Sequence, residues 1–149
     1  MNQFDQATIN DINTRLDKLT PDTKAKWGRM TVTQMLTHMN DAFKLALGMK
    51  PGKDKSNLFY KLAFPLLVNG LRWFPRGSGS PEEIRQGGGG SNPRDFYTEL
   101  EFVKKMIDIF NEREEEKLKP HPLFGKLSKQ QWRDLMVVHL NHHLKQFGV

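Results

Sequence analysis

The chain has 149 residues, carries 23 lysines and arginines against 17 aspartates and glutamates for a net charge of +6, and has no cysteine. That length suits one domain with a real core, and residues 1–149 are read as a single domain; the missing cysteine excludes disulfides, thiolate metal ligands and a protein thiol nucleophile. The polar N-terminus has no signal-peptide core, and the most apolar run, Leu62 to Val68, is far below the roughly 20 residues that cross a bilayer, so the expectation is a cytoplasmic protein with no membrane partner.

In chain order, residues 5–19 place Ile9, Ile12, Leu16 and Leu19 at helical spacing, and Thr20-Pro21-Asp22 closes this first helix. Trp27-Gly28-Arg29-Met30 follows as a connector whose tryptophan is expected to plug one end of the core. Thr31 opens a second helix with a capping box, since Gln34 lies three residues on. Its stripe of Met35, Leu36, Met39, Phe43 and Leu47 ends at Gly48 and Pro51.

The next stretch holds much of the positive excess: Lys44, Lys50, Lys53, Lys55 and Lys61 face only Asp54. No basic stripe interleaved with aromatics and no recognition motif accompanies them, which argues against a nucleic-acid partner and for a solvated basic loop. Residues 58–74, interrupted by Pro65 and Gly70, read as one or two short crossover helices. Their aromatics (Phe59, Tyr60, Phe64, Trp73 and Phe74) are expected to cap the open end of the bundle; roofing a metal pocket and forming a dimer surface are the alternatives. Residues 75–93, with the runs RGSGS and GGGGS, read as a flexible Gly/Ser-rich loop, expected to be mobile and to carry no chemistry.

Arg94 to about Lys119 reads as a third helix, with Phe96, Leu100, Val103, Ile107 and Phe110 on one face and Pro120 and Pro122 beyond its end. Ser128 opens the fourth with a second capping box to Gln131, running to about Gln146. Four substantial helices, no strand and one long connection predict an all-α fold, a four-helix bundle with a long crossover between helices 2 and 3.

The chemistry concentrates in histidine. His139 and His143 lie four apart on the last helix, with Cβ atoms about 5 to 6 Å apart, close enough for both imidazoles to reach one ion. His142 could take the place of His143, and periodicity leaves that choice open. His38, on the apolar stripe of the second helix, needs a partner if it points into the core. A metal shared with the pair would supply one, and three neutral histidines would leave a coordination position free. The competing explanation is that HLNHH merely complements the dipole at a helix C-terminus. His121, between prolines, reads as a structural loop histidine. Gln34 and Gln146 are candidate hydrogen-bond partners of the site.

The segment WGRMTVTQMLTHM resembles the start of the second helix in the DinB/YfiT-like superfamily. The tail HPLFGKLSKQQWRDLMVVHLNHHLKQFGV is similar to a branch of that superfamily known only as a domain of unknown function, through its HP-x-FG-x-L opening, central tryptophan and HLxHHLxQFG ending. The resemblance implies a four-helix bundle, often dimeric, whose histidine triad binds nickel or zinc. Carried onto this chain, the triad falls on His38, His139 and His143, which selects His143 over His142. It further implies an enzyme that acts on a small-molecule substrate, transferring or isomerising with a low-molecular-weight thiol cosubstrate.

Metal-dependent hydrolysis is the rival enzymatic reading and needs a general base. Asp41 is a catalytic candidate for that role, Asp134 another. Asp41 reads equally as a carboxylate orienting a histidine. Outside enzymes stand a basic interaction module and a metal-stapled helical protein, the latter closed by a fourth ligand from His142, Asp41 or another carboxylate.

Overall fold

The structure is a computed structural model, and it describes residues 4–71, 74–75 and 79–149. Trp73 and the first three residues of the RGSGS run lie outside the described residues. Among the described residues the fold is all-α, with five α-helices: α1 (Gln6–Leu16), α2 (Val32–Leu47), α3 (Leu58–Pro65), α4 (Phe96–Glu112) and α5 (Lys129–Gln146). No helix among them is long and apolar enough to cross a membrane.

Each start has a chemical cause. Asp5, Asn57 and Asp95 accept from the third backbone N–H of α1, α3 and α4. Thr31 and Ser128 form full capping boxes with Gln34 and Gln131. α2 stops where Gly48 turns left-handed at φ 74° and Met49 N–H returns to the Lys44 carbonyl. α1 is shorter than expected, because Lys18 and Leu19 bond three residues back in a tightened last turn, although Leu19 stays buried. α4 ends at Glu112, well before the expected Lys119. Glu112, Glu114, Glu115 and Glu116 would crowd negative charge at the negative end of a longer helix. The chain instead becomes extended at Arg113, and Lys119 reaches the end of α2: its N–H donates to the Ala46 carbonyl at 2.9 Å, while its own carbonyl accepts from the Trp132 indole at 3.0 Å.

α2 packs mainly against α4; α1 meets α4 and α5, and α5 also meets α2. Phe110 of α4 sits between Phe4 and Phe43, with ring centroids 5.7 and 5.5 Å away. α2 is buried on nearly every side, so its polar residues need partners. Asn40 donates to Glu99 at 2.6 Å, and Glu99 pairs with Arg94 at 2.9 Å. α3 presents Phe64 and Tyr60 to Phe124 and leaves Leu58, Phe59 and Leu62 exposed, and Leu66, just beyond it, is exposed as well. After Pro65, which cannot donate to the helical ladder, the backbone widens into a π-helical turn over Leu66–Leu71. The segment from Gly79 onward forms a 3-10 turn at Glu82–Ile84 that packs on α2, followed by the four glycines and Ser91.

Candidate metal centre

His38 is two turns into α2, and His139 and His143 lie one turn apart on α5, where the two helices meet. Their inner nitrogens converge. His38 Nε2 and His143 Nε2 lie 2.9 and 3.0 Å from His139 Nε2, and all three nitrogens fall within 4.8 Å of one another. His38 and His143 are buried and His139 half-buried.

The outer nitrogens fix the ring state. His38 Nδ1 is 2.7 Å from the Ile84 carbonyl, and His143 Nδ1 is 2.7 Å from Gln146 Oε1. The Gln146 amide is oriented by its other end, where Nε2 donates to the Trp27 carbonyl at 3.0 Å. Both acceptors are oxygens that can only accept, so each Nδ1 carries a hydrogen and each neutral ring turns a bare Nε2 lone pair inward. A single N–H on His139 cannot direct a linear bond to both lone pairs, whereas one cation satisfies all three rings. The two separations from His139 agree with that, because an ion about 2.0 to 2.1 Å from each nitrogen holds neighbouring ligand nitrogens about 2.9 to 3.4 Å apart. The His38 and His143 nitrogens, within 4.8 Å of each other, would draw together around it. The donor set therefore fits a divalent metal. Burial pushes the His38 imidazolium below its usual range and pushes those of His139 and His143 well below it, which favours the neutral form that metals bind.

The triad forms part of the wall of a cavity of about 770 Å³. Aromatic rings from Trp27, Tyr60, Phe74, Phe124 and Trp132 line it, as do the charged side chains of Arg29, Lys55, Arg85 and Glu82. Trp27, expected as a plug, is a half-buried part of this lining and meets His142 edge-on at 5.9 Å. His142 is on the cavity wall between Trp27 and Phe74, its ring 4.9 Å from that of His143 but outside the triad.

His121 shapes the turn before α5. Its Nδ1 accepts from the backbone N–H groups of Leu123 and Phe124 at 3.0 and 3.2 Å, its ring stacks on Phe124, and it exchanges backbone bonds with Gly125. Burial lowers its pKa to about 4.

Asp41 is fully buried, and its carboxylate accepts from Ser91 N–H at 2.7 Å and Ser91 Oγ at 2.6 Å, with Lys44 and Lys50 at 3.8 and 3.5 Å. Asp134 bonds Gln130 within α5, and Gln34 is occupied in its capping box. Three partners of the site have no sequence signal of their own: the carbonyls of Ile84 and Trp27, which are backbone atoms, and Ser91, which the glycine run disguised.

No curated protein and no solved structure matches the chain. One family, described as "Protein of unknown function (DUF1569)", matches residues 1–148. With its all-α fold and buried histidine triad, the chain belongs to the DUF1569 family, a branch structurally related to the DinB/YfiT-like superfamily.

Proposed function

We propose that this protein is a divalent-metal-dependent enzyme in which His38, His139 and His143 hold a nickel or zinc ion at the cavity wall. It acts on a small molecule, with a low-molecular-weight thiol as cosubstrate. The observation that carries this reading is the tautomer lock: Ile84 and Gln146 turn two Nε2 lone pairs onto a third imidazole, an arrangement that a cation completes. Such an ion supplies Lewis acidity, which activates a thiol or a water and polarises a carbonyl.

The protein's own groups do the rest. Ile84 and Gln146 orient the rings and raise their basicity as ligands. The aromatic lining takes an apolar substrate body and excludes water, and Arg29 and Lys55 attract an anionic group to the cavity. Among the described residues no fourth histidine or carboxylate joins the group, and Asp41 is committed to Ser91. Both facts favour an open coordination position over a closed structural one.

In this reading the chain is one domain. α1, α5, α2 and α4 form a four-helix bundle, supported by the closed cycle of packed pairs α1–α5, α5–α2, α2–α4 and α4–α1. α3 and the glycine-rich segment make up the crossover. Pairing with a second copy would use the exposed outer face of α3.

The test is turnover of metal-loaded protein with an electrophilic substrate and a panel of low-molecular-weight thiols. The expected result is thiol-dependent product formation that disappears in His38→Ala. Metal retained in full with no turnover on any thiol would refute the transferase reading; ester or amide cleavage by the same preparation would move the assignment to a hydrolase.

A further inference from the structure

We propose that the run Gly87–Ser91 and Asp41 together form a positioning device for the histidine centre, one that holds the Ile84 carbonyl against His38. The inference rests on the metal-site reading and gives a role to the two features that reading leaves over.

The geometry is a loop pinned to α2 at two points. At the first, His38 Nδ1–H donates to the Ile84 carbonyl at 2.7 Å. At the second, less than one turn further along the helix, the buried Asp41 carboxylate takes both the N–H and the hydroxyl of Ser91 at 2.7 and 2.6 Å. Lys50 tightens this end, donating to the Gly89 carbonyl at 2.9 Å and facing the Asp41 carboxylate at 3.5 Å. The glycines join the two points. Gly89 N–H bonds the Glu82 carbonyl, and Gly88 and Gly90 N–H both bond the Arg85 carbonyl, so the backbone folds directly onto the turn that presents Ile84.

That fold admits no side chain at Gly89 or Gly90. A Cβ at Gly89 would lie 2.7 Å from the Glu82 carbonyl oxygen, and one at Gly90 would lie 2.7 Å from that of Arg85. Both obstacles are backbone atoms with no way to yield. Close approach, rather than flexibility, explains Gly89 and Gly90, and the left-handed φ of 84° explains Gly87. A buried carboxylate bonded by a hydroxyl and an amide and flanked by two ammonium groups is an anchor, and Asp41 does not line the cavity, so it is a positioning residue.

The experiment uses the full chain as wild type, Ser91→Ala, Gly89→Ala and Asp41→Asn. Long-range proton–nitrogen NMR reads the His38 tautomer without metal, with His143 as internal control because Gln146 holds it independently. Competition with a chromophoric chelator reads nickel affinity. The expected result is a pure Nδ1–H tautomer at His38 in wild type and mixed tautomers in Ser91→Ala and Gly89→Ala, with His143 unchanged. Nickel affinity should fall about 10- to 100-fold in both. Ser91→Ala removes only a hydroxyl and keeps the test interpretable if Asp41→Asn fails to fold. An unchanged His38 tautomer in folded Ser91→Ala and Gly89→Ala would overturn the proposal. Because that arm needs no metal, it decides the positioning role even if wild type binds none, which would instead refute the metal reading.

Discussion

His121 makes the stability of the metal-free protein depend on pH in a direction the structure dictates. Its Nδ1 accepts two backbone N–H bonds, so protonation there would set an N–H against two donors inside a buried turn. The pKa falls from 6.5 to about 4 on folding, chiefly through burial. The neutral ring is therefore favoured in the folded state. Its contribution is complete above pH 6.5, declines as pH falls and the unfolded chain takes up the proton first, and is gone below about pH 4. At about 1.4 kcal/mol per pKa unit, the whole effect is about 3 kcal/mol, of which about 2 kcal/mol is lost by pH 5. The triad histidines titrate in the same sense, so the clean comparison is with His121→Asn, whose Oδ1 occupies the place of Nδ1 and keeps both bonds without titrating. Urea unfolding of chelator-treated protein, followed by circular dichroism at about pH 8 and pH 5, should show wild type losing about 2 kcal/mol more than the variant. Parallel losses in the two proteins would refute the reasoning.

Two further outcomes follow from local chemistry. Thr31→Ala and Ser128→Ala each remove a capping box and should each lower stability by about 1 kcal/mol in urea unfolding. Gln146→Leu should leave the helices intact by circular dichroism while lowering nickel affinity about 10- to 100-fold, since His143 Nδ1 loses the Gln146 oxygen and the Trp27 carbonyl loses the Gln146 amide.

The helices were legible in the sequence because burial imposes a period: Met35, Met39 and Phe43, or Val103, Ile107 and Phe110, repeat at helical spacing and are all buried. The capping boxes were legible because both partners are side chains at fixed spacing. The end of α4 was not, since an acidic run that opposes the helix dipole still consists of good helix formers. The glycine run was misleading in a more general way. Composition signals freedom of the chain, whereas the contacts at Gly89 and Gly90 require the absence of a Cβ. At the centre, the spacing of His139 and His143 and the inward place of His38 were readable, but the choice between His142 and His143 depends on how α5 is rotated about its axis. The atoms that lock the rings, the carbonyls of Ile84 and Trp27, carry no residue identity at all.

The most direct test of the central claim is metal content by mass spectrometry of tag-free protein after incubation with nickel or zinc and removal of free ion, with wild type beside His38→Ala and His143→Ala. The account predicts about one equivalent in wild type and loss in both variants, because removing any one imidazole leaves too few ligands to hold the ion. Wild-type protein that takes up no metal, or variants that retain it in full, would contradict the account.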